Sequence, residues 1–75
     1  MEKDRLYLLM DELLEAKECA EAMQYVTQRL LKVFREESHT EGINIACLYN
    51  RQLESLINDL GKCLQTLDKG IINQR

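Results

Sequence analysis

Residues 34–50, Phe34-Arg35-Glu36-Glu37-Ser38-His39-Thr40-Glu41-Gly42-Ile43-Asn44-Ile45-Ala46-Cys47-Leu48-Tyr49-Asn50, decide the fold of this 75-residue chain. Apolar residues recur at helical spacing on both sides of this stretch. Between Ser38 and Asn44 the recurrence stops and turn formers gather. Upstream, Leu6, Leu9, Leu13, Ala16, Ala20, Met23, Thr27, Leu30 and Phe34 advance by alternate steps of three and four. Downstream, Ala46, Tyr49, Leu53, Leu56, Leu60, Cys63 and Leu67 do the same. Such steps hold each series on one side of a helix. The pattern predicts an all-α fold: a coiled-coil-like antiparallel two-helix hairpin, forming a single domain over 1–75. The first helix is expected at about 3–37, the turn at about 38–44 and the second helix at about 44–69.

The turn can be read in two ways. Ser38 and Glu41 have capping-box spacing, which would start the second helix straight after Ser38. Alternatively, Gly42 ends the first helix in a left-handed conformation and Asn44 caps the second. The sequence leaves both open. Gly70 is expected to end the second helix, and Gly61 within it to cost about 1 kcal/mol relative to alanine. No proline interrupts either helix, and Leu, Glu, Lys, Gln, Ala and Met favour helix along nearly the whole length.

The stripes also suggest a register. A turn centred near Gly42 sets Phe34 against Tyr49, Leu30 against Leu53 and Met23 against Leu60, with Ala20 and Ala16 opposite Cys63 and Leu67. Tyr7, Met10 and Leu14 then remain beside the first stripe, and Ile57, Leu64 and Ile71 beside the second. These six residues form the expected protein interface, because a chain this short buries little surface alone and a contiguous apolar patch marks association. A second copy of the chain is the expected partner, giving a four-helix bundle.

Charge narrows the functional classes. The net charge is −3, and residues 1–37 hold nine acids against six bases, whereas residues 38–75 hold four of each. Asp11, Glu12, Glu15 and Glu18 form an acidic face, unsuited to phosphate backbones, so no nucleic-acid partner is expected. No stretch has the length and apolarity to cross a bilayer. An odd count of three cysteines, Cys19, Cys47 and Cys63, without CxxC spacing, points to reduced thiols in a cytoplasmic protein.

The chemical motifs are sparse. His39 is the sole histidine, and its Glu neighbours do not make the convergent set that zinc requires. Glu15, Glu18 and Glu21 lack the Glu-x-x-His partners of helical di-metal centres. No base stands beside a nucleophile, and there is no glycine-rich phosphate loop. The expectation is a non-enzymatic protein without cofactor, metal or small-molecule substrate, acting as an adaptor or regulator through an apolar helical surface. The length, the mid-chain break and an amphipathic second helix with Gln52-Leu53-Glu54-Ser55 resemble the short helical co-chaperones of bacterial type III secretion systems. That likeness implies a chaperone-like alternative, in which a groove holds a helical client. A purely structural oligomerisation module is the other alternative.

Overall fold

A computed structural model describes the backbone of residues 2–73 and the side-chain surroundings of residues 4–70. Helix α1 spans Glu2–Glu36 and α2 spans Thr40–Asn73, packed antiparallel along their length. The rod they form measures 56 × 14 × 12 Å. Its radius of gyration, 16.9 Å, exceeds the roughly 11 Å of a compact domain of this length. Such a shape has no interior beyond the line where the two helices meet.

Local chemistry fixes the reversal. The Ser38 N–H donates to the Arg35 carbonyl at 3.2 Å, and the His39 N–H donates to the Phe34 carbonyl at 2.9 Å. These two bonds are a Schellman cap, which requires a left-handed residue between them. Ser38 takes that conformation at φ 54°. The His39 ring lies against the Phe34 ring, with centroids 5.3 Å apart, supplying the motif's usual side-chain contact. His39 then starts the next helix. Its Nδ1 accepts the Gly42 N–H at 2.9 Å, and its carbonyl accepts the Ile43 N–H at 2.9 Å. The N-cap is therefore His39, one residue after the first of the two alternatives, Ser38, and α2 begins at Thr40, ahead of the expected start at about 44. Gly42 is helical and Asn44 caps nothing. Gly70 does not end α2 either, since the helix continues to Asn73.

The loop thus has three residues, 37–39, where a turn over 38–44 was expected. This shortening moves the register. Phe34 packs on Gly42, seven positions nearer the turn than the expected Tyr49.

The seam differs from the expected one in a regular way. An anchor row runs through Leu6, Leu13, Ala20, Thr27 and Phe34 on α1, and through Ala46, Leu53, Leu60 and Leu67 on α2. All of these are buried or half-buried, with Ala20, Ala46 and Leu53 the most enclosed at 3%, 4% and 9% exposure. The other half of the seam is an inner row of half-buried side chains: Met10, Lys17, Gln24 and Leu31, with Asn50, Ile57 and Leu64. The residues expected there, Leu9, Ala16, Met23, Leu30, Tyr49, Leu56 and Cys63, are all exposed. They form an outer row. Each helix has followed a four-then-three step from the anchor where the expectation was three-then-four, so every second seam position falls one residue later. Cys63, expected on the seam opposite Ala20, is correspondingly at the surface.

The consequence is a seam with polar members. Lys17 lays its stem across it, and its Nζ reaches Glu21 at 4.0 Å. The Thr27 hydroxyl donates within its own helix to the Met23 carbonyl at 2.8 Å. The Asn50 Oδ1 is buried without a hydrogen-bond partner among the described residues. Meanwhile the more apolar row faces out.

Candidate protein-interaction surface

The outer rows of the two helices share one side of the hairpin. A local two-fold axis normal to the plane of an antiparallel pair relates its helices, and such an axis keeps equivalent rows on the same side. Leu9, Ala16, Met23 and Leu30 therefore run beside Tyr49, Leu56 and Cys63. Met23 is 59% exposed, Tyr49 55% and Leu56 46%. Near the turn the strip is widened by Val26, Val33 and Ile45, which are also exposed and adjoin the outer row on the helix surface. Toward the chain ends it narrows to Ala16, Cys63 and Leu9. The result is one long apolar face, broad and bulky near the turn, with the small Ala16 and Cys63 beyond its middle and Leu9 toward the chain ends.

The expected interface residues lie elsewhere. Met10, Leu14 and Leu64 line a groove of about 360 Å³ on the opposite side, rimmed by Asp11, Gln65 and Asp68. Tyr7 precedes Leu14 by two turns on α1 and is exposed like it. Ile57 is half-buried on the seam and lines a separate, neighbouring groove with Lys17 and Gly61. Met10 and Leu64 belong to the seam as well, so only part of their surface remains open. The Ile71 side chain lies outside the described residues. The structure therefore brings three of the six into one groove, while the larger apolar face is built from residues assigned by sequence to the interior.

The electrostatics are those of a solvated rod. Asp11, Glu12, Glu15 and Glu18 are all exposed. Among the described residues Lys17–Glu21 is the one ion pair, and exposed pairs of this kind contribute little. Arg29 stacks on its own helix, with its guanidinium 5.7 Å from the Tyr25 ring centroid and Nη1 donating to the Tyr25 hydroxyl at 3.3 Å. Among the described residues, no group of three or more His, Cys, Asp or Glu side chains is placed to hold a metal ion. Nor is any described helix long and apolar enough to cross a membrane. All three cysteines are free thiols.

The signal that could have found this face lies in the composition of the rows. The outer row has no charged or amide side chain, whereas the inner row contains Lys17, Gln24 and Asn50. Two apolar lines flanking one anchor row read as one wide stripe, and the seam takes only part of such a stripe. No protein-family model matches the chain, and no curated protein or solved structure matches it.

Proposed function

We propose that this chain is a non-enzymatic protein-interaction module that works as a self-associated helical assembly, its outer-row face being covered by a second copy. The observation that supports this is the inversion of the seam. Among its described apolar side chains the hairpin buries only Ala20, Ala46 and Leu53, and it leaves Met23, Leu30, Tyr49 and Leu56 exposed. A chain of this size has little stability to spare, and covering such a face contributes about 25 cal/mol per Å² of apolar area. Two hairpins joined face to face make a four-helix bundle, the simplest arrangement that encloses both faces. In this reading Glu15 and Glu18 of the acidic face stay in solvent and steer basic partners toward the assembly.

Sedimentation equilibrium tests the reading. A species of twice the chain mass is expected, reverting to monomer when Met23 or Leu56 is replaced by glutamate. A wild-type chain that stays monomeric and fully helical at high micromolar concentration would refute it.

The groove of Met10, Leu14 and Leu64 favours a second reading, a chaperone-like hairpin holding an apolar helical client. Under that reading Leu14→Glu abolishes client capture and leaves the oligomeric state untouched. Self-association through the outer row predicts the reverse pattern of sensitivity.

A further inference from the structure

We infer that the two copies pack antiparallel, turn against chain ends, with their two-fold axis crossing α1 near Cys19 and α2 near Asp59. This rests on the self-association proposed above and specifies its geometry. Two face-to-face two-fold arrangements are open to such a rod. If the axis runs along the rod, the turns lie together and α1 faces the partner's α2. If the axis lies across the rod, turn meets chain ends, α1 packs on the partner's α1 and α2 on its α2.

Side-chain size selects the second. With the axis across the rod, Met23 meets the partner's Ala16, and Leu56 meets the partner's Cys63. Next to the axis the larger Met23 and Leu56 thus pack on the partner's smaller Ala16 and Cys63, Leu30 reaches the partner's Leu9, and voids are avoided. In the parallel arrangement Met23 and Leu30 meet Leu56 and Tyr49, while Ala16 and Cys63 face each other across a gap.

Charge selects the same arrangement independently. Among the residues of α1 from Asp4 to Glu21, acids outnumber bases by six to two. From Ala22 to Arg35 the charges are Arg29, Lys32 and Arg35, with no acid. None of these three cations makes an ion pair within the hairpin among the described residues. Antiparallel packing of α1 on α1 lays the basic half of each copy along the acidic half of the other, with Arg29 beside the partner's Glu12. The whole side of the rod, 56 × 14 Å in outline, is of the order of the roughly 800 Å² per partner of a standard-size interface, so association must use most of its length.

Cys19 supplies the test. It is an exposed free thiol at the level of the axis, so in the antiparallel dimer it approaches the partner's Cys19. In the parallel dimer the two lie on opposite edges of the bundle. A variant carrying Cys47→Ala and Cys63→Ala, treated with a short bismaleimide, is expected to yield covalent dimers. Arg29→Glu is expected to weaken association roughly tenfold, and adding Glu12→Lys to restore it. A variant that sediments as a dimer but gives no Cys19 cross-link would overturn the antiparallel geometry and leave self-association standing. A chain that is monomeric both as wild type and as this variant would overturn both. Asp59 gives a further check, because the axis brings two of these carboxylates together. Asp59→Asn is expected to tighten the antiparallel dimer, and unchanged or weaker association counts against it.

Discussion

The Phe34 ring occupies the space that a side chain on Gly42 would need: a Cβ built there comes within 2.6 Å of Phe34 Cδ1 and 2.9 Å of His39 Nδ1. The lack of a side chain on Gly42 thus lets the Phe34 ring close the turn end of the seam. Gly61 differs, since a Cβ there meets nothing within 4 Å. One substitution should therefore have opposite signs at the two sites. Gly61→Ala is expected to stabilise by up to about 1 kcal/mol through helix propensity. Gly42→Ala is expected to destabilise by about 1–3 kcal/mol through overpacking, despite the same propensity gain. Chemical denaturation of the two variants side by side checks both.

Ser38 holds a left-handed conformation that glycine adopts without strain and a β-branched residue resists. Ser38→Gly should raise stability by about 1 kcal/mol and Ser38→Val should lower it by a similar amount. His39→Ala removes the acceptor for the Gly42 N–H and should cost about 1 kcal/mol. Thermal melts of these variants report directly on the cap geometry. A neutral Ser38→Gly would mean that Ser38 does not hold that conformation in solution.

The Asn50 Oδ1 is buried on the seam with no donor among the described residues. Leaving such an acceptor unpaired costs about 1–3 kcal/mol, and polar residues at seam positions can fix register at the expense of stability. Asn50→Leu is expected to stabilise the hairpin by about 1–2 kcal/mol. It should also broaden the spectrum of helix alignments, visible as line broadening in amide NMR spectra. A stabilised variant with an unchanged spectrum would show that register is set by the turn alone.

Leu56 and Ile57 are adjacent in sequence and face different surroundings, the first outward and the second on the seam. Ile57→Ala should lower stability at every protein concentration, by about 1–2 kcal/mol for a half-buried side chain. Leu56→Ala should act through association, so its effect on the melting temperature should shrink as the protein is diluted. If the two losses have the same concentration dependence, the assignment of inner and outer rows is mistaken.

The hairpin, the presence of a break after about residue 37 and the anchor row were legible in the sequence, because alternate three- and four-residue steps have no other simple reading. The extent of the break, expected over 38–44, was not, since the loop is 37–39. Which neighbour of each anchor residue turns inward was not. At Leu9 and Met10, and at Leu56 and Ile57, both neighbours are apolar and hydrophobicity is silent. At Ala16 and Lys17, Met23 and Gln24, and Tyr49 and Asn50 it favours the residue that in fact turns outward. The deciding geometry sits in the loop, where a serine takes a conformation usually given to glycine and a histidine does the work usually given to serine or aspartate. The groove at Met10, Leu14 and Leu64 was foreshadowed, because those residues fall beside both stripes. The outer-row face was missed for the same reason that the seam was misplaced.

The three-residue loop also acts as a phase lock. Helix 2 leaves it at a fixed rotation, and one added residue would turn that helix by about 100° about its own axis. A single alanine inserted between Ser38 and His39 would swing Tyr49, Leu56 and Cys63 to a new bearing. The hairpin is then expected to lose its cooperative melt and its dimer together, unless helix 1 rotates to compensate. Loop length in this chain accordingly governs its sociability, since the clasp that makes the turn tight is also what holds the oilier side of the molecule toward its neighbours.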